Sequence, residues 1–221
     1  MKSGLVDIVC VLDRSGSMAY IADDAIGGFN EFLKQQQELP GEAKMTVVLF
    51  DGQYEIMYDG VDVKDVKELD NKTFVPRGTT ALLDALGKTI NAVGERLAKT
   101  PEEDRPEHVI FMVLTDGLEN ASKEFTNDQI HDMIEHQETV YSWKFVYLAA
   151  NQDAFVVGNQ LSFTNSVNFK YDKVGTRSLF TAHSNVVSCL RGGGSYSDAV
   201  QSYDHVVADD RFVTEDNKSA T

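Results

Sequence analysis

Asp13, Ser15 and Ser17 alternate in the stretch Asp13-Arg14-Ser15-Gly16-Ser17-Met18, directly after the apolar run Leu5–Leu12. Two later loops, Gly78-Thr79-Thr80 and Thr115-Asp116-Gly117, are also rich in oxygen donors. The three stretches offer hydroxyls from Ser15, Ser17 and Thr80 and carboxylates from Asp13 and Asp116. Such a donor set suits a hard cation, since Mg²⁺ takes oxygen ligands at about 2.0–2.1 Å and keeps several waters. With neutral hydroxyls innermost and only two carboxylates nearby, the cation stays electrophilic and one coordination position stays with water. A partner's Asp or Glu can displace that water. Even at bulk dielectric, a divalent ion and a carboxylate oxygen at ~2.1 Å attract by roughly 4 kcal/mol before desolvation is subtracted.

Other chemistries fit these residues less well. Asp13, Ser15 and Ser17 taken alone read as helix caps, and only the convergence of three loops lifts them above that. Ser15 and Ser17 lie outside a Gly-x-Ser-x-Gly elbow, which argues against a hydrolase triad with His108 or His183. Gly87-Lys88-Thr89 lacks the earlier glycine of a phosphate loop, since position 82 is Leu. His131 and His136 miss the i, i+4 spacing of a helical zinc pair and are expected to face solvent. Trp143 and Tyr147 are expected to pack or to sit at a strand entry rather than to form a binding box. Arg14, the one cation inside the first loop, is expected to point to solvent.

The elements that must carry these loops are legible from periodicity. Residues 5–12 read as a strand buried on both faces, interrupted by Asp7, for which the sequence offers no explanation. Ala22, Ala25, Ile26, Phe29, Phe32 and Leu33 form a helical stripe between Met18 and Leu39, stopped by Pro40-Gly41. Met45–Phe50, Asp51-Gly52 and Gln53–Tyr58 read as a hairpin whose second strand is an antiparallel edge. Residues 61–78 form a short helix at most, then a loop. A helix over 82–97 ends before Pro101, a polar connector spans 100–107, and 109–114 is another buried strand. Thr126 and Gln129 have capping-box spacing ahead of Ile130, Met133 and Ile134. Residues 145–149 form a strand, 153–160 a short helix, 166–169 a final strand, and 175 or 176 to 191 a last helix bearing Leu179, His183, Val186 and Leu190. Gly192-Gly193-Gly194-Ser195 reads as a linker, dividing a domain over 1–191 from an acidic tail over 192–221 that is either disordered or docked onto the body.

With the motifs in this order, the chain resembles the von Willebrand factor A (vWA) domain family over roughly residues 5–191. The metal-ion-dependent adhesion site (MIDAS) of that family reads Asp-x-Ser-x-Ser, then a threonine in a second loop, then an aspartate in a third. Gly78-Thr79-Thr80-Ala81-Leu82-Leu83-Asp84-Ala85-Leu86 resembles the family's Gly-Gly-Thr-x-Leu-x-Asp-Ala-Leu segment, with Thr79 in place of a glycine. The resemblance implies an α/β, Rossmann-like fold: a mostly parallel central sheet, one antiparallel edge strand, and helices on both faces. It implies direct coordination by Ser15 and Ser17, a state-dependent ligand at Thr80, and water-bridged roles for Asp13 and Asp116. Register favours Thr80 over Thr79. Gly16, Gly78, Thr79, Asp84 and Gly117 would support the loops, and Asp84 also suits the N-terminal dipole of its helix.

The whole chain bounds the partners. At 221 residues and 42% hydrophobic content it can build one sizeable core. A net charge of −15 without a basic patch disfavours nucleic acid and anionic membranes. No apolar stretch of 18 residues or signal-peptide pattern is present, and the two cysteines, Cys10 and Cys189, read as small hydrophobes in a reducing compartment. The expectation is a cytoplasmic, non-enzymatic module that uses Mg²⁺, with Mn²⁺ or Ca²⁺ as substitutes, to engage a protein partner's Asp or Glu. Two alternatives stand beside it. One is a metal-dependent hydrolase or phosphoryl-transfer enzyme. The other is a self-assembling protein whose acidic tail, Asp209-Asp210 to Glu215-Asp216, occupies its own or a neighbour's metal site.

Overall fold

In the computed structural model, which describes residues 1–116, 118–149, 161, 163, 165–168 and 173–203, six strands form a single sheet. They are β1 (Lys2–Asp13), β2 (Ala43–Phe50), β3 (Tyr54–Asp62), β4 (Pro106–Thr115), β5 (Lys144–Ala149) and β6 (Asn165–Asn168), in spatial order β3-β2-β1-β4-β5-β6. Every pairing is parallel except β2 with β3. The tight Asp51–Gln53 connection explains that exception, because only an antiparallel partner can follow a hairpin turn. The sequence-expected short helix over 153–160 and the end of the last strand at 169 lie outside the described residues.

Side chains of β1 alternate between two cores, as period two requires. Val6, Ile8, Cys10 and Leu12 join α1 (Ala22–Glu38) and α4 (Lys173–Arg191) on one face. Val9 and Val11 join α2 (Leu82–Lys99) and α3 (Asn127–Tyr141) on the other. The helices therefore flank both faces, as a mostly parallel sheet demands. Gly28 allows the closest approach of α1 to α4, since a Cβ there would strike the Phe180 ring. Thr126 closes a reciprocal capping box with Gln129 at the start of α3.

Asp7 has a partner that the sequence did not disclose. Arg96, 89 positions away on α2, donates to its Oδ2 at 2.9 Å and to Asp59 at 2.8 Å. Burial pushes the Asp7 carboxyl up, and Arg96 pulls it back. Beyond Arg191, the three glycines close α4: the Gly194 N–H returns to the Cys189 carbonyl, and Gly193 sits at φ +79°. The segment read as a linker is thus a helix-ending turn. It leads into a short helix, α5 (Tyr196–Ala199), and Ala199 and Tyr203 are buried in the core. Of the two options for the tail, residues 196–203 dock. Residues 204–221, including Asp209-Asp210 and Glu215-Asp216, lie outside the described residues.

Candidate metal centre

Parallel strands aim their carboxyl ends, and the loops leaving them, at one edge of the sheet. β1 ends on Asp13 and β4 on Thr115, and Leu12 pairs with Leu114, so the first and third loops emerge side by side. Asp13 is fully buried, and its carboxylate holds both loops. Oδ1 accepts from the Ser15 N–H at 2.6 Å, and Oδ2 accepts from the Thr115 hydroxyl at 2.6 Å. Burial raises this carboxyl to about 6, even though both donors act to lower it.

The remaining donors of the first loop face the third. The Ser15 and Ser17 hydroxyl oxygens are 3.0 Å apart, and Ser17 Oγ donates to Asp116 Oδ1 at 2.7 Å. Adjacent oxygens in an octahedral shell with bonds near 2.1 Å stand about 3.0 Å apart, the spacing of the two serine hydroxyls, and the Ser17–Asp116 pair is about 0.3 Å closer. The donor chemistry, hydroxyl and carboxylate oxygen without sulfur or imidazole, likewise suits a hard cation.

The second loop lies against the other two. Gly16 donates its N–H to the Gly78 carbonyl at 3.3 Å, and a Cβ on Gly16 would stand 3.3 Å from that oxygen. Gly78 has φ +68°, a conformation other residues resist. Thr80 exchanges hydrogen bonds with Asn120: its N–H donates to Asn120 Oδ1 at 2.9 Å, and its carbonyl accepts from the Asn120 N–H at 3.0 Å. Thr80 is buried, whereas Thr79 is exposed with its Oγ1 turned toward Gly52. Of the two threonines, Thr80 is the one whose backbone is tied to the third loop, through Asn120. Gly117 lies outside the described residues.

Asp84 braces the third loop from beneath. Its carboxylate accepts N–H groups from Lys123, Glu124 and Phe125 at 2.9–3.0 Å. Burial acts to raise its pKa, but these three donors outweigh it and the net shift is downward. Glu119 answers from the other side. It accepts the orphan Leu83 N–H at the start of α2 and the N–H groups of Ala121 and Ser122.

Arg14 corrects the sequence reading. It is only 4% exposed rather than solvent-facing, and it donates to Asp51 at 3.0 Å and Glu55 at 2.7 Å. Arg77 reaches the same Asp51 oxygen at 2.9 Å, and its N–H donates to the Arg14 carbonyl. The Asp51 carbonyl in turn accepts from Ala81. Asp51 therefore ties the first loop, the β2–β3 hairpin and the second loop together. Sequence reasoning missed Asp51 as anything but a turn residue, and it missed Arg77, Glu119 and Asn120 entirely. No spacing signal could have found the contacts by which they join separate loops, because those run between positions 26–40 apart.

On the outer face of α3, ligand atoms of His131, Asp132 and Glu135 come within 4.8 Å of one another. Pairing of His131 with Glu135 one turn apart explains that grouping. Tyr147 and Trp143 pack in the aromatic cluster of the second core, as expected.

No protein-family model and no curated protein sequence matches this chain. Solved structures do match. The pilus adhesin SpaC from Lactobacillus rhamnosus GG aligns with a TM-score of 0.62 at 12% identity, over 85% of this chain and 31% of its own. Proximal thread matrix protein 1 from the mussel byssus, solved with a zinc-occupied MIDAS motif, aligns at 0.56 and 15% identity, over 85% of this chain and 49% of its own. A von Willebrand factor type A protein from Catenulispora acidiphila aligns at 0.53 and 14% identity, over 84% and 43%. The chain spans about half or less of the length of each of these three proteins. The sheet order, the single antiparallel edge strand and these likenesses define an α/β protein with the Rossmann-like vWA fold. No helix among the described residues is long and apolar enough to cross a membrane.

Proposed function

We propose that this chain is a divalent-cation-dependent protein-binding module whose metal is held by Asp13, Ser15, Ser17, Thr80 and Asp116 and completed by a partner's carboxylate. One observation carries the reading: oxygen donors of the first and third loops meet, with Ser17 bridging Ser15 and Asp116 at 3.0 and 2.7 Å, while the second loop is tied to the first through Gly16 and Gly78 and to the third through Thr80 and Asn120. Mg²⁺ is the cation this donor set suits best, with Mn²⁺ or Ca²⁺ able to replace it. The zinc-occupied MIDAS of the byssus protein, which shares the fold, supports a divalent ion at this edge of the sheet.

When bound, the metal supplies a Lewis-acidic position for an incoming oxygen. The chain's own residues supply the rest. Asp13 fixes the Ser15 backbone and Thr115, Asp116 orients the Ser17 hydroxyl, and Asn120 seats Thr80. The role is binding rather than catalysis, and a cytoplasmic setting fits the cysteine usage. Arg14, the cation nearest the motif in sequence, is engaged by Asp51 and Glu55 and so does not serve as a phosphate clamp.

Affinity capture from the native source, with Mg²⁺ or with EDTA and with Asp13→Ala as control, tests the reading. A partner set lost in both the EDTA and variant arms is expected. The same partners in all three arms would overturn it.

A further inference from the structure

At the opposite edge of the sheet, where β4 begins and α2 and α3 end, the chain leaves a cavity of about 420 Å³. Val109, in its wall, lies six residues before Thr115 along β4, about 20 Å at ~3.3 Å per residue. The cavity is therefore separate from the donor loops. Its aromatic wall is made by the end of α3. Ser142, the one non-glycine residue with a left-handed backbone among the described residues (φ 58°), ends that helix, and the Trp143 N–H returns to the Gln137 carbonyl at 3.1 Å. Trp143 stacks on Phe111 with ring centroids 5.4 Å apart and is 5% exposed, whereas Tyr141 is 60% exposed. Both line the cavity, together with Leu97 and Val109. A space of this size and lining suits a small molecule with an apolar or aromatic body.

Charge narrows what that molecule is. The charged side chains in the wall are Glu102, Glu107 and Arg105. Arg105 is already engaged: its Nε donates to the Thr100 carbonyl at 2.9 Å and its Nη2 to the Ala98 carbonyl at 3.4 Å, where the end of α2 leaves acceptors orphaned. Glu107 Oε2 accepts the Gly4 N–H at 2.7 Å and the Ser3 hydroxyl at 3.2 Å, contacts that hold its carboxyl below the usual value and so ionised. Neither glutamate forms an ion pair among the described residues. The whole chain, at −15, adds a field of the same sign. An anion is repelled here and a neutral molecule gains only burial. A cation gains the two carboxylates and the Tyr141 ring as well.

We propose that this cavity is a second binding site, for a small organic cation with an aromatic or apolar body, and that it works independently of the metal centre. Trp143 is the only tryptophan of the chain, so its fluorescence reports on the wall directly. Three probes of one shape test the proposal on the full chain by fluorescence and calorimetry: 3-phenylpropylamine, 3-phenylpropanol and 3-phenylpropionate. The amine should saturate the signal and bind about tenfold tighter than the alcohol, with the carboxylate weakest. Glu102→Gln/Glu107→Gln should erase the preference for the amine. Gly94 lines the cavity on α2, and a Cβ there meets nothing within 4 Å, so Gly94→Leu grows into the space while improving the helix. That variant should weaken the amine tenfold or more with thermal stability and Mn²⁺ affinity retained. Absence of saturable amine binding at millimolar concentration would overturn the proposal. So would equal or tighter binding of the alcohol or the carboxylate, a preference that survives removal of both glutamates, or amine binding indifferent to Gly94→Leu.

Discussion

Ser17 contributes one hydroxyl and almost no packing, so its removal separates ligation from folding. Ser17→Ala is expected to weaken Mn²⁺ binding about tenfold or more while shifting stability by less than about 1 kcal/mol, read by calorimetry and thermal melting. Arg14 should behave in the opposite way. Arg14→Met removes one of the two guanidinium partners of the buried Asp51, leaving it the half-exposed Arg77 and the Gln53 N–H, and should cost about 3 kcal/mol, the low end for breaking a buried ion pair. Urea denaturation should show that loss, whereas Arg77→Met, at the exposed end of the network, should cost about 1 kcal/mol or less. The two arginines also show where residue-level reading failed. Arg14 lies inside the motif and was expected to face solvent. The carboxylates that hold it belong to Asp51 and Glu55, 37 and 41 positions away.

Loops join into one site here because each is tethered at its base. Gly78 is the most sensitive link, since it combines φ +68° with a carbonyl that accepts from Gly16. Gly78→Ala should cost about 1–3 kcal/mol through backbone strain. The same change should weaken Mn²⁺ binding, because the loop bearing Thr80 must shift to relieve that strain. Chemical denaturation followed by metal titration of the folded fraction measures both effects. Elements themselves were legible wherever period and capping agreed, as in the continuous apolar runs of β1 and β4 and the Thr126–Gln129 box. They were illegible where a segment's fate depended on a distant surface. Gly192–Ser195 has the composition of a linker, yet it ends a helix because Tyr196, Ala199 and Tyr203 have a core to enter.

At the scale of the molecule, the docked segment carries a pH signature. His183 on α4 is fully buried against Phe32, its Nδ1 2.6 Å from the Tyr203 hydroxyl, and burial lowers its pKa to about 3. The unfolded chain, with an ordinary imidazole near 6.5, binds the extra proton in the window between. The contribution of His183 to stability is therefore complete above about pH 6.5 and is lost as pH falls toward 3, by up to about 1.4 kcal/mol per pH unit. Asp13 acts with the opposite sign: raised to about 6, it contributes stability at low pH that is lost as pH rises through that value. The difference between the native chain and His183→Leu/Tyr203→Phe isolates the histidine. That difference in urea midpoint should narrow as pH drops from 7 to 5, and a constant difference would show that the ring is not held neutral.

The order of types along the chain determined which strands are buried on both faces, which loops leave them, and which oxygen donors those loops carry. Local periodicity and steric preference act over a few residues, and so they are written locally. Tertiary structure alone decided which charges are sealed in and how the loops are tied. Asp7 met Arg96, Asp51 gathered Arg14 and Arg77, Asp84 took the N–H groups of 123–125, and Tyr203 reached His183. Burying a charge or a polar group is tolerated only when a partner arrives with the right geometry. Such a partner is brought by the path of the whole chain, which no window of sequence contains.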